Sequence, residues 1–340
     1  MRSWGHLPGD DPQRDRAETE AAIEAAGIDL HPKLPGDHAH PHQHSDDGQP
    51  PVIGIVGAGA VGTALGVALS RGGWAIHAVA SRDAARRERF RSLVEVNRAF
   101  ADPEPLVEEV ELIILAVPDD VVAPLASGLH MYSGQAMIHT SGALGAEVLA
   151  PAMAAGTQVG SFHPLVAFAD TERAVAALHG ATVAIEADDQ LAEMLARMAE
   201  AVGATAVRLA PGSKAAYHAA AVLAAGGFVA LLDAIAELGR VAGLDEAGAL
   251  AIYGPLIEGT LGNARALGIR AALTGPITRG DLGTLRAHLA ALHEHAPDVL
   301  DLYVAAGRRE IELAEARGAL APETARVVRE ILADALAPRD

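Results

Sequence analysis

Two regimes of hydrophobic patterning divide the chain. Between residues 52 and 209 short apolar runs recur with amphipathic stretches between them, whereas from Lys214 onward only helical spacing persists. The first regime predicts strands over 52–56, 74–80, 181–185 and 205–209, with further strands starting at Leu112, Ala136 and Gln158. Helices are predicted over 60–71, where Gly72-Gly73 stops the pattern, and over 191–201. The run Leu112-Ile-Ile-Leu-Ala-Val is apolar without alternation, as a parallel strand covered on both faces should be. The second regime predicts helices over 214–241, 245–266, 281–293, 298–316 and 322–335. Strands alternating with helices, then helices alone, mean an α/β domain over 51–211 and an all-helical domain over 212–336. Residues 1–50 are rich in Pro, Gly, Asp and His and too poor in large apolar residues to offset ordering, so a disordered tail with at most a short helix over 18–26 is expected.

The run Val52 to Val56 leads into Gly57, Gly59 and Gly62 and then into an Ala/Leu-rich helical pattern. This reads as the strand, glycine turn and helix of a Rossmann-type nucleotide-binding domain. Gly57 permits the turn, Gly59 lets a pyrophosphate approach the backbone, and Gly62 lets helix pack on strand. Ala60 and Val61 open the helix, whose free amides face the phosphates. The second strand ends in Ser81-Arg82-Asp83, nineteen residues beyond Gly62 at Ser81. A small polar residue with arginine suits the 2′-phosphate of NADP, whereas an acid suits the ribose hydroxyls of NAD. Ser81 and Arg82, with Arg86 and Arg87 one turn on, favour NADP(H) over NAD(H); a longer strand would instead hand the acidic role to Asp83. Val117, Pro118 and Thr140 fall at strand ends that border the same crevice.

Composition narrows the partners. The 340 residues carry a net charge of −18, which argues against a nucleic-acid partner. Half the residues are apolar, enough for two cores. No cysteine is present, which excludes thiolate catalysis and suits a reducing compartment. The tail has no signal-type apolar run and no later stretch reads as a membrane span, so a cytoplasmic protein is expected. The segment from Asp37 to His44 alternates histidine with other residues and is either a solvated tail or a weak chelator. His288, His293 and His295 lack metal spacing, and no metal is assigned. A helix over 214–241 would run roughly 40 Å, which points to a homodimer formed through the helical half.

The chemistry-bearing side chains cluster at strand ends and at the first long helix. His139, Thr140 and Ser141 end one strand, and Ser161, His163 and Pro164 end the next. Lys214 and His218, four residues apart with Tyr217 beside them, share one side of a helix that leaves the nucleotide domain, aimed into an expected interdomain cleft. Lysine and histidine can donate to a carbonyl oxygen as hydride arrives, so Lys214, His218 and His163 are the catalytic candidates. Ser141, Tyr217, Asn263, Thr274 and Arg279 are the substrate-binding candidates. Arg279 suits a carboxylate, and Asp281 next to it suits a helix cap.

Together the glycine turn, Ala116-Val-Pro-Asp-Asp, His139-Thr-Ser-Gly, Ser161-Phe-His-Pro-Leu, Lys214-Ala-Ala-Tyr-His-Ala-Ala and Ala272-Leu-Thr-Gly-Pro-Ile-Thr-Arg-Gly-Asp resemble the Rossmann-like oxidoreductases catalogued as domain of unknown function 2520, over about residues 52–335. The resemblance implies a helical domain similar to those of 6-phosphogluconate dehydrogenase, pyrroline-5-carboxylate reductase, prephenate dehydrogenase and ketopantoate reductase. In the β-hydroxyacid dehydrogenase branch a lysine with an asparagine four residues later serves catalysis; Lys214 matches the lysine, but His218 stands in the asparagine's place. The Ser/Thr-rich signature of pyrroline-5-carboxylate reductase is missing, and different residues occupy 274–281. The expected activity is NADP(H)-dependent hydride transfer to or from a small carboxylated carbonyl, hydroxy or imine compound. The alternatives are a catalytically silent NADP(H) sensor or partner protein and, as related folds bind several cofactors, a deazaflavin donor.

Overall fold

A computed structural model describes residues 50–337, apart from 97, 155 and 211. The tail, where a short helix is expected and the histidine run falls, lies outside the described residues. The chain separates into two compact units, one ending at Val222 and the next beginning at Leu223.

The first unit is an eight-stranded sheet in the order β3-β2-β1-β4-β5-β6-β7-β8. Its strands are β1 (Ile53–Val56), β2 (Ile76–Ala80), β3 (Arg98–Phe100), β4 (Leu112–Leu115), β5 (Ala136–His139), β6 (Gln158–Pro164), β7 (Thr182–Ala187) and β8 (Thr205–Arg208). All neighbours are parallel except β6 and β7, which run antiparallel. The order reverses between β1 and β4, the switch point of a Rossmann-type sheet. Helices α1 (Ala60–Arg71), α2 (Ala84–Leu93), α3 (Asp119–Gly128), α4 (Thr171–Leu178) and α5 (Asp189–Ala201) connect the strands. Alternation along each strand sorts the core onto two faces. Ile53, Ile55, Leu112, Ile114, Ile138 and Phe162 pack on one. Val56, Ile113, Leu115 and Met137 pack on the other. That two-sided burial explains the unbroken apolar runs in the sequence. The patterning does not predict β3, since Arg98-Ala-Phe is too short and too polar to register as a strand.

The predicted helix over 214–241 is present but interrupted. Helix α6 (Lys214–Val222) passes through one π-turn, Leu223–Gly227, into α7 (Phe228–Val241). The two glycines at the end of the turn favour such a break. Among the described residues this one stretch of 28 residues is also long and apolar enough to cross a membrane by length and composition alone, which corrects the expectation that none is. A single such helix is weak support for a span.

The second unit continues with α8 (Glu246–Leu267), α9 (Leu282–His295), α10 (Leu300–Ala316) and α11 (Pro322–Asp334). Its core joins Leu285, Leu289, Leu292, Val304, Ile311, Val328 and Leu332. Helix α8 contributes little to it: Ala249 is its one buried residue, while Ile252, Leu256 and Leu261 are each more than half exposed.

Candidate functional site

At the switch point β1 runs into Gly57, whose φ of +108° is a conformation that side chains rarely adopt. A Cβ there would stand 2.2 Å from the Ala116 carbonyl oxygen, and one at Gly62 would stand 2.0 Å from the Gly57 carbonyl oxygen. Gly59 differs, with nothing within 4 Å of its would-be Cβ. Two glycines therefore close the turn against strand and helix, and the third leaves the backbone open. Gly59 is the N-cap of α1, and no side chain caps that helix, so its first amides and the positive end of its dipole remain available to an anion.

A cavity of about 730 Å³ opens beside this turn. Gly57, Gly59, Ala60 and Val61 border it on one side, Val117, Pro118 and Thr140 on another, and Ser81, Arg82 and Arg86 at the end of β2. All the expected cofactor residues but one thus line a single space. Gly62 is the exception, because it serves helix packing instead. Strand β2 ends at Ala80, and Asp83 accepts from the amides of Ala85 and Arg86 at 2.9 and 3.1 Å as the cap of α2. The Arg86 amide foremost holds the Asp83 carboxyl below its usual range. One oxygen of that carboxylate is committed to its own helix, although Asp83 also borders the cavity, and the strand does not run on to present it at its end. The Arg87 guanidinium donates to the Ser81 carbonyl and fixes the strand end.

A second group of polar side chains gathers on the same unit. Lys214, the first residue of α6, is 4% exposed, and its Nζ donates to Ser161 Oγ at 2.5 Å. Burial lowers its pKa to about 8, against the opposing fields of Glu186, Glu147 and Asp119. The His163 ring meets those of Tyr217 and His218 edge-on, at 5.9 and 5.6 Å between centroids. Burial and the Lys214 charge push His163 down to about 4, and the same two causes do so for His139, so both are neutral near pH 7. Burial raises Tyr217 to about 12. The Tyr217 hydroxyl and Nδ1 of His139, His163 and His218 are buried polar atoms with no hydrogen-bond partner. Unpartnered polar atoms of this kind are rare inside folded proteins unless something else satisfies them.

The expected residues divide between the units. Lys214, Tyr217 and His218 meet His163 on the sheet unit. Ser141 stands nearby, but its hydroxyl accepts from the amides of Ala143 and Leu144 at 3.1 and 3.0 Å and so holds its own loop. Asn263, Thr274 and Arg279 belong to the second unit, where they are exposed. Asp281 accepts from the Thr284 amide at 3.0 Å and caps α9, as expected. Among the described residues no group of three His, Asp or Glu side chains is arranged to hold a metal. The motifs include Gly142 and Ser161 but do not reveal the room Gly142 makes for two rings or Ser161 as a partner for Lys214, and Glu186 belongs to none of them. A Cβ on Gly142 would stand 2.2 Å from His218 Nδ1 and 2.7 Å from His163 Nε2, so the loop closes on both rings only because glycine is there.

Residues 39–164 match the model of the Rossmann-like domain, and residues 181–310 match that of DUF2520, a domain of unknown function. The chain pairs a Rossmann-like domain with a DUF2520 domain. Among solved structures, a Bacteroides fragilis protein provisionally named an NADP oxidoreductase is 25% identical, with 77% of this chain and 98% of that one covered and a TM-score of 0.63. A Thermotoga maritima protein is also 25% identical, covering 78% of this chain and 99% of its own, with a TM-score of 0.61. A reductive aminase from Aspergillus terreus, solved with NADPH and ethyl levulinate, covers 85% of this chain and 100% of its own at 18% identity and a TM-score of 0.60. At that identity the likeness is one of fold. No curated protein is similar enough to this Rossmann-like and DUF2520 pairing to match it.

Proposed function

We propose that the protein is an NADP(H)-dependent oxidoreductase that moves hydride to or from a small carboxylated carbonyl, hydroxy or imine compound. The observation that carries this reading is the cavity at the switch point, bordered by the open backbone of Gly59 at one part and by Ser81, Arg82 and Arg86 at another. The amides at the start of α1 suit the pyrophosphate, and the two arginines suit a 2′-phosphate beside Asp83, which borders the same cavity while its Oδ1 caps α2. The provisional name of the Bacteroides fragilis relative agrees with this reading. Bound there, NADPH supplies hydride from its nicotinamide ring.

The residues of the chain supply position and protons. Lys214, held by Ser161, donates to the oxygen or nitrogen on which charge builds as hydride arrives. His163 and His218 act from the same cluster, His163 in its neutral form, and the Tyr217 hydroxyl offers a further donor. Thr140 borders the same cavity and would lie beside the nicotinamide half of the cofactor. Residue chemistry alone assigns Ser141, Asn263, Thr274 and Arg279 to substrate binding. The reading includes a homodimer that covers the exposed apolar residues of α8, in a cytoplasmic setting.

The test is an NADPH fluorescence titration followed by absorbance assays over a panel of keto acids, semialdehydes and imines. Tight NADPH binding with turnover on one class is expected. Failure to bind NADPH would overturn the reading, and binding with no turnover on any compound would turn it toward a sensor. Light scattering on the full chain tests the dimer.

A further inference from the structure

The use of basic residues along the chain carries a signal that no motif does. Of 26 lysines and arginines only Lys33 and Lys214 are lysine. Lys33 lies outside the described residues, so Lys214 is the one lysine among those described, and it is buried. Lysine is almost never fully buried without a reason. Arginine stays charged at any pH a folded protein meets, whereas a buried lysine titrates near neutrality. A chain that uses arginine almost everywhere else has at this position a group able to release and regain a proton.

The floor under Lys214 is a polar row across three strands. His139 on β5 is in register with Ser161 on β6, and Ser161 with Glu186 on β7, so all three side chains share one face. Ser161 and Glu186 are directly opposed across an antiparallel ladder, with Cβ atoms about 5 Å apart. Glu186 also accepts from the Ala146 amide at 3.1 Å, which fixes its carboxylate and ties the loop after β5 to β7. The other groups that act on the ammonium are Asp119 at the start of α3, Glu147 after β5, and His139 and His163 on the strands, while Tyr217 and His218 on its own helix stand against the His163 ring. After burial, which lowers the proton affinity of Lys214, Glu186 is the foremost influence and acts in the opposite direction.

We infer that Glu186 and Ser161 form the positioning pair that holds the Lys214 ammonium in place, Ser161 by a direct hydrogen bond and Glu186 from the opposed position on β7. The inference rests on the reading of Lys214 as the proton donor. Neither residue need touch substrate: Glu186 stabilises the charge, and Ser161 fixes the direction of one N–H.

Two lysines make the test direct. Full-length protein labelled with [13C,15N]-lysine gives two side-chain signals, which Lys214→Arg assigns. The 13Cε shift of Lys214, followed against pH, should titrate near 8 in the unmodified chain. Glu186→Gln keeps an acceptor for the Ala146 amide but removes the charge, and should lower the midpoint by about one pH unit. Ser161→Ala should lower it in the same direction by less, and Glu186→Asp should restore most of the loss. The pH profile of NADPH-dependent turnover should move with each midpoint. Should Glu186→Gln fail to fold, Ser161→Ala decides. A midpoint unmoved in the folded variants overturns the inference whatever Lys214 does in turnover. Turnover that survives Lys214→Met overturns the reading of Lys214 as the proton donor whatever the titration gives.

Discussion

One row of residues crosses six strands of the sheet, and its two halves have opposite chemistry. Ala80, Val56 and Leu115 on β2, β1 and β4 are in register with His139, Ser161 and Glu186 on β5, β6 and β7. The apolar half close-packs and leaves the work of the site to the backbone that follows it, at glycines whose missing side chains shape the turn. The polar half leaves the work to side chains and shields them from water. Stability and binding are therefore separable at the glycine turn. At the polar row they are coupled, because a dry charged group acts on both the fold and the chemistry.

The largest effect should fall on the polar half. Lys214→Met should lower kcat/KM by roughly 10² to 10⁴ while NADPH affinity holds, since proton donation contributes about that much; steady-state kinetics with a titrated Kd separates the two. Next comes the turn. Gly57→Val meets both a positive φ and the Ala116 carbonyl, and should cost on the order of 3 kcal/mol of unfolding free energy. Gly59→Ala should leave stability alone and weaken NADPH about tenfold or more, because its Cβ meets open space until a phosphate arrives. Equal losses of stability in these two variants would break the comparison.

Acid should act through the polar half as well. In the unfolded chain His139 takes up a proton near pH 6.5, but in the folded protein only near pH 4. Unfolding therefore binds a proton between these values, and stability falls as pH drops through that window. At about 1.4 kcal/mol per pH unit, His139 accounts for on the order of 3 kcal/mol. Urea midpoints at pH 7 and pH 4 measure the loss, which His139→Gln should reduce. Smaller again, Arg82→Ala should weaken NADPH roughly tenfold and NADH hardly at all, as the loss of one charge-assisted contact to phosphate would. Asp83→Ala should slightly lower the melting temperature and leave the preference for NADPH over NADH unchanged, because that carboxylate caps α2. A change in cofactor preference would show that Asp83 also contacts the nucleotide.

Legibility followed the range of the interaction. The strand, turn and helix at Val52 to Arg71 could be read from local pattern, and so could the cap at Asp281, because each is decided within a few residues. The end of β2 was legible to within a residue of Ser81-Arg82, although the cap role of Asp83 had to be seen in the structure. Strand β3 was not legible, since its pairing with β2 and not its own composition makes it a strand. The pairing of Lys214 with Ser161 spans 53 residues. No periodicity reports such a pair, although the scarcity of lysine in the chain marks one of its members.

What the sequence alone determined is the alternation of strands and helices apart from β3, the three-glycine turn and the change to helices after residue 211, because backbone preference and the spacing of apolar residues act locally. What only the tertiary structure decided is which polar residues meet. The antiparallel pairing of β6 with β7 sets Ser161 opposite Glu186, the start of α6 brings Lys214 onto Ser161, and Gly142 makes room for two histidine rings. Those meetings depend on strand register and on helix entry from a distant part of the chain, and the resulting burial lowers the proton affinity of the lysine against the carboxylates around it.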